Sequence, residues 1–280
     1  MEKITPMAKT LLAVLTLCLL FVPLAAAGEP PNLRVLSYNI HHGEGVDHKL
    51  DLKRIARVIK SVSPDVVALQ EVDRGTERTD RVDQPAELAR LTNMKVLFER
   101  NIDYQGGQYG NAILSKLPIT RHENVHLPLL DDGEQRGLLI AELKWQSQEI
   151  LFLCTHLDFR ADDHERLASA KRINNLIEKR ASKPAILAGD LNASRDSAVL
   201  KIFTEKWAIT NERELPTVPV SKPKRQIDFV LTLRSTSWKV IEVRVLDEAI
   251  ASDHRAILAI LQLQAVKPKP DRRNKKDTCP

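Results

Sequence analysis

A restricted set of polar residues interrupts the apolar runs of this chain. Asn39 follows Ser37-Tyr38, and Glu71 sits in Leu69-Gln70-Glu71-Val72. His156 lies in Cys154-Thr155-His156-Leu157-Asp158, and Asp190 and Asn192 in Gly189-Asp190-Leu191-Asn192-Ala193. Asp228 occurs in Gln226-Ile227-Asp228-Phe229, and Asp253 and His254 in Ser252-Asp253-His254-Arg255. Glu71, Asp253 and the amide oxygen of Asn39 are hard oxygen donors, suited to Mg²⁺ or Mn²⁺ rather than zinc. An ion of that kind neutralises phosphate charge and stabilises a transition state. Hydrolysis also needs a base for the attacking water. His156 and His254 are the available imidazoles, and Asp228 could orient one of them and hold its tautomer. Asp190 and Asn192 suit this chemistry, and in isolation they suit a turn equally well.

The elements that must position these residues are legible as alternating apolar runs and helical patterns. Strands are expected over Leu33–Ile40, Val66–Gln70, Lys95–Arg100, Asn111–Ser115, Leu138–Trp145, Ile150–Leu157, Ala185–Ala188, Asp228–Leu231, Trp238–Val245 and Ala256–Leu263. Several, such as Ala185-Ile186-Leu187-Ala188, are apolar at consecutive positions, as strands covered on both faces are. Leu52, Ile55, Ile59 and Val62 mark one helix that stops before Pro64. Asp83 followed by Pro85 opens a second, Asp162 to Arg180 makes a third, and a fourth runs from about Ser197 to Lys206. No repeat and no internal linker rich in Gly, Pro or Ser divides the chain, so a single domain of two packed sheets with helices outside is expected. In a mixed sheet the end of one strand lies beside the start of an antiparallel neighbour. All six polar segments can therefore open onto one edge, where loops build sites.

The strings Ser37–Gly43 (SYNIHHG), Leu69–Val72 (LQEV), Tyr109–Ser115 (YGNAILS), Thr155–Asp158 (THLD), Gly189–Ala193 (GDLNA), Ile227-Asp228-Phe229 and Ser252–Arg255 (SDHR) together resemble the endonuclease/exonuclease/phosphatase superfamily. The resemblance spans residues 33 to 264. It implies an α/β fold, a four-layer sandwich of two mixed β-sheets flanked by helices, and a metal-dependent phosphoester hydrolase using Mg²⁺ or Mn²⁺. By motif, Asn39 and Glu71 correspond to metal-site residues, with Asp253 a further metal or orienting carboxylate. Asp190 and Asn192 correspond to the pair that positions the water or leaving oxygen, His254 to the histidine paired with an aspartate (Asp228), and His156 to a phosphate-contacting histidine. Tyr109 and Asn111 correspond to phosphate-side residues. Arg136, just before the strand at Leu138, is a further candidate for binding phosphate. Arg74, Arg78 and Arg81 form a basic loop that could clamp a second phosphate or simply be solvated. His41 and His42 take loop or supporting roles, since adjacent side chains on an extended chain point opposite ways.

The implied substrate is a phosphate ester in a nucleic acid, a nucleotide or a phospholipid headgroup. The alternative is a protein on the same fold that holds a phosphorylated ligand without turning it over. Inositol polyphosphate 5-phosphatases carry a tryptophan and an arginine where this chain has Ala188 and Phe229, and membrane-acting sphingomyelinases present aromatic-rich hairpins, for which 4% aromatic residues leave little material.

The net charge of +5 resides mainly in the last fourteen residues, where six Lys and Arg face Asp271 and Asp277. The body is nearly neutral, unlike a protein that grips long stretches of duplex. That tail, residues 265 to 280 with its prolines, is expected to be disordered. At the other end Lys3 and Lys9 precede an apolar run from Leu11 to Ala27 that closes on Ala25-Ala26-Ala27. Residues 1 to 27 thus match a signal peptide, leaving 28 to 32 as a short lead-in, and point to export to a periplasm or the exterior. A retained anchor is the alternative, weakened by Pro23. Cys154 is expected as a buried free thiol and Cys279 as a loose terminal one. No protein partner is implied, and a monomer is expected.

Overall fold

The computed structural model describes residues 31–180 and 182–264, so the signal and tail expectations, and Cys279, lie outside the described residues. Twelve strands form two six-stranded mixed sheets. The first combines β1 (Asn32–Asn39), β2 (Val66–Arg74), β3 (Lys95–Tyr104) and β4 (Gly107–Ser115) with β11 (Trp238–Val245) and β12 (Ile257–Leu263), in the order β11-β12-β1-β2-β4-β3. The second combines β5 (Ile119–His126), β6 (Gly137–Trp145), β7 (Gln148–His156), β8 (Ala185–Asp190), β9 (Trp207–Ile209) and β10 (Asp228–Leu233), in the order β5-β6-β7-β8-β10-β9. Each sheet has one parallel pair at its centre, β1 with β2 and β7 with β8, and the other pairings are antiparallel.

Alternate residues along each central strand enter different cores, because successive side chains leave opposite faces of a sheet. On β7, Leu151 and Leu153 face the helices while Ile150, Phe152 and Cys154 face the other sheet. On β2, Val67 and Leu69 face helices while Val66 and Ala68 face the other sheet. Three apolar clusters result, one between the sheets and one under each helical layer, which is what a four-layer sandwich requires. Helices α1 (Leu52–Ser61) and α2 (Gln84–Thr92) cover the first sheet, and α3 (His164–Glu178) and α4 (Ala198–Thr204) the second. Three of these starts carry a side-chain cap, and α3, entered at Asp163, has none. Asp51, Asp83 and Ser197 accept from the backbone N–H of Arg54, Ala86 and Leu200. Cys154 is a buried free thiol between the sheets, and burial pushes its pKa up to about 12.

The expected strands differ from the observed ones at β2 and β4, which carry site residues, and β5 and β9 are not among the expected strands. β2 does not end at Gln70 but continues to Arg74 across a bulge between Leu69 and Val72. β4 begins at Gly107, four residues before the expected start, so Tyr109 and Asn111 lie within it. β5 and β9 carry too few buried apolar residues in alternation to announce themselves.

Candidate active site

Topology brings the polar segments to one end of the sandwich. Asn39 and His156 end β1 and β7, Asp190 ends β8, and Asp228 opens β10 directly opposite Asp190. Asp253 and His254 lie just before β12, which runs antiparallel to β1. Gly189 is needed for this closeness, since a Cβ there would stand 2.0 Å from the carbonyl oxygen of Thr155 on β7. A cleft of about 390 Å³ opens at this end, lined by Glu71, Tyr109, Arg136, His156, Asp190, Asn192, Asp253 and His254 among others.

Asp190 is the hub and is 1% exposed. Its Oδ2 accepts from Asn39 Nδ2 at 3.2 Å and lies 3.5 Å from His156 Nε2 and 3.7 Å from His254 Nε2. Its Oδ1 accepts from the backbone N–H of Asn192 at 2.9 Å. Burial, with the nearby charge of Asp228, raises its pKa, and His254 opposes the rise. His254 Nδ1 is 2.9 Å from Asp228 Oδ2, so this ring is held between two carboxylates. Burial alone would lower its pKa, but Asp228 and Asp190 outweigh that and raise it to about 10. His156 is driven the other way, well below its ordinary value, by burial and then by the charges of Arg136 and His254. Arg136 NH1 can only donate, so the His156 Nδ1 that it meets at 3.2 Å is the acceptor. The two imidazoles are thus shifted in opposite directions within one cleft.

Glu71 occupies the bulge of β2 with a left-handed φ of 56°, a conformation that non-glycine residues adopt rarely. Its Oε1 accepts from Asn39 Nδ2 at 2.9 Å. Asn39 was expected to offer its amide oxygen to a metal. The structure instead turns that oxygen to the backbone N–H of His41 at 3.0 Å, and the amide nitrogen bridges Glu71 and Asp190. The arrangement follows from acceptor supply: two carboxylates need a donor between them, and the amide provides it. Among the described residues, Glu71 and Asp253 have no ion-pair partner within 4 Å, although both line the cleft. Two carboxylates lining one cleft without a protein cation offer the hard oxygen donors that a divalent ion takes.

Three sequence candidates, Asn39, Asn111 and Asp228, stand outside the cleft wall, Asn39 behind Glu71 and Asp190. Asn111 is buried and donates to the carbonyl of Gly137 at 3.1 Å, which ties β4 to the start of β6. Asp228 sits behind His254. Conversely, the cleft includes residues the motifs did not single out. Glu134 pairs with Arg136 at 2.8 Å, and burial raises its pKa. Tyr104, Ile102 and Phe159 give one apolar side, with Phe159 68% exposed. Of the basic loop, Arg78 lines the cleft, is held by the buried Asp73 at 2.7 Å and lies over the rings of Tyr104 and Tyr109. Arg74 is spent on Gln108, and Arg81 on Glu77. A tethered buried carboxylate explains why Arg78 turns inward; in the sequence Asp73 adjoins Arg74, not Arg78, so nothing there distinguishes Arg78.

Comparison with known proteins agrees with this architecture. A model of the endonuclease/exonuclease/phosphatase family matches residues 36–254. The chain is 26% identical over 247 residues to YbhP, an uncharacterised protein of Escherichia coli (strain K12), covering 83% of this chain and 97% of that one. It is 27% identical over 175 residues to a 5'-tyrosyl-DNA phosphodiesterase of Caenorhabditis elegans, covering 60% of this chain and 44% of the relative. The crystal structure of an endonuclease/exonuclease/phosphatase from Beutenbergia cavernae superposes with a TM-score of 0.67 at 25% identity, over 83% of this chain and 72% of that one. From the strand order, the hub at Asp190 and these matches together, the chain belongs to the endonuclease/exonuclease/phosphatase family.

Proposed function

We propose that this protein is a phosphoester hydrolase dependent on Mg²⁺ or Mn²⁺, acting on a phosphodiester or phosphomonoester. The observation that carries the reading is the hub: one buried carboxylate, Asp190, within reach of two imidazoles whose pKa values shift in opposite directions, beside the carboxylates Glu71 and Asp253 in the same cleft. Glu71 and Asp253 would hold the ion, which supplies charge neutralisation for the phosphoryl group. Asn39 keeps Glu71 and Asp190 apart at fixed separation through its amide nitrogen. His254, kept protonated by Asp228 and Asp190, places positive charge where the phosphate would sit. Asp190 is then the group positioned to take a proton from the attacking water, since its raised pKa makes it a better base than an ordinary carboxylate. Arg136 with His156 and Asn192 would orient the phosphate oxygens, and Tyr104, Tyr109 and Phe159 offer a surface for the organic part of the ester.

The test uses chromogenic mono- and diesters with Mg²⁺ or Mn²⁺, and then DNA, RNA, nucleotides and phospholipids. Metal-dependent turnover that falls by roughly 10²–10⁴-fold in Asp190→Asn and in His254→Ala is expected. Absence of turnover on the whole panel overturns the reading. We also infer export from the N-terminal segment, and a monomer because no protein partner is implied. Fractionation of expressing cells tests export, and sedimentation tests the monomer.

A further inference from the structure

His41 and His42 were expected to diverge, as neighbours on an extended chain do. The chain is not extended there. His41, His42 and Gly43 all have left-handed backbone, with φ of 46°, 42° and 79°. Three such residues in succession fold the backbone back, so the rings stand 4.4 Å apart, centroid to centroid, on the same side as Glu71. One ligand atom from each of His41, His42 and Glu71 lies within 4.8 Å of the others. Glu71 is itself left-handed, so all three members occupy a backbone region that side chains normally avoid. Strain of this kind, of order 1–3 kcal/mol per residue, persists where the surroundings enforce it and collects at functional sites. Here Gln84 enforces it, donating to the carbonyl of His42 at 2.6 Å and accepting from the N–H of Asp73 at 3.0 Å.

The ring nitrogens are also sorted. His41 Nδ1 lies 3.1 Å from the carbonyl oxygen of Glu44, and His42 Nε2 lies 3.5 Å from the Glu44 carboxylate. Glu44 thus engages one nitrogen of each ring and leaves the other nitrogen of each for something else. On His42 that other nitrogen, Nδ1, is buried with no hydrogen-bond partner in a residue only 8% exposed. A buried lone pair without a partner is costly unless a ligand meets it. Oxygen acceptors behind histidines are the usual arrangement around a metal, where they fix tautomer and ring orientation.

We propose that His41, His42 and Glu71 form a second metal site, for a divalent transition-metal ion of the zinc class rather than Mg²⁺. Two imidazoles and one carboxylate are the donor set of such ions, whereas Mg²⁺ takes oxygen. Donors about 2.1 Å from one tetrahedral ion stand about 3.4 Å apart, so donors at the 4.8 Å limit would close by about 1.4 Å on binding. Glu71 is shared with the catalytic reading above, and the two histidines are not used there. Through Glu71 the second ion would sit directly against the hydrolytic site.

The experiment is titration of the untagged protein with Co²⁺ and Zn²⁺ in excess Mg²⁺, read by the visible d–d absorption of bound Co²⁺ and by metal content after dialysis. One tightly held ion with strong visible absorption is expected. His41→Asn keeps a side chain tolerant of left-handed backbone and removes an imidazole from a half-buried position, so it is the variant that folds. It is expected to abolish the absorption, as is His42→Asn. Glu44→Gln should weaken Zn²⁺ binding by about 10- to 100-fold while leaving all three ligands in place. No tightly held ion in the wild type, or Co²⁺ absorption unchanged in folded His41→Asn, overturns the proposal. Failure of the hydrolase reading would look different, as absent turnover with the Co²⁺ signal intact.

Discussion

At the scale of single residues, the site works through charge states that burial and neighbours impose. Folded His254 has its pKa raised to about 10, against an ordinary value near 6.5. The sign of the linkage follows. The stability His254 contributes is fully present below about pH 6.5 and is lost as pH rises through about 10. In chelated protein, the stability difference between wild type and His254→Gln should therefore narrow across that window, as read by urea unfolding at several pH values. A constant difference would mean the imidazolium is not what Asp228 and Asp190 stabilise. Glu71→Gln should weaken Mg²⁺ binding at least tenfold by calorimetry, and unchanged affinity would remove Glu71 from the metal site. Residue types alone did not settle Asp190, which suits a turn equally well, or His254, which alone reads as a structural histidine; the seven strings taken together nominated them. They were not enough to orient Asn39, whose amide is a donor or an acceptor depending on neighbours 32 and 151 positions away.

Among the elements, β8 is tightly constrained at the site. Gly189 admits the backbone of β7 at a distance no side chain permits. Gly189→Ala should cost about 1–3 kcal/mol by overpacking. It should also lower turnover at temperatures where the variant remains folded, since Asp190 is the next residue. Equal kcat for folded variant and wild type would show that β8 can shift without moving the hub. The buried strands were legible because their apolar residues run consecutively, as in Ala185–Ala188. β5 was not, because ITRHENVH at a sheet edge exposes most of its length and needs no apolar pattern. The bulge in β2 also escaped notice, since Gln70-Glu71 reads as the end of a strand whether the chain stops or only deviates there. That deviation is what aims Glu71 at the cleft.

For the whole molecule, the site lies on the seam between the two sheets. Glu71, Asp253 and His254 come from the first sheet or the loop entering it, and Arg136, His156, Asp190 and Asp228 from the second or the segments flanking it. The contacts Asn39–Asp190, His254–Asp228 and Asn111–Gly137 all cross it. A metal that binds only the assembled seam stabilises the fold by mass action, by about 2.7 kcal/mol at a hundredfold excess over its dissociation constant. Thermal melts should thus shift upward with Mg²⁺ or Mn²⁺ in wild type and much less in Glu71→Gln. Equal shifts in both would place the ion elsewhere. The seam also imposes an order in time. The first sheet cannot be completed until β11 and β12, at the far end of the described chain, have joined it. Catalytic competence therefore needs both sheets and the core between them, and cannot precede the joining of β11 and β12 to the first sheet.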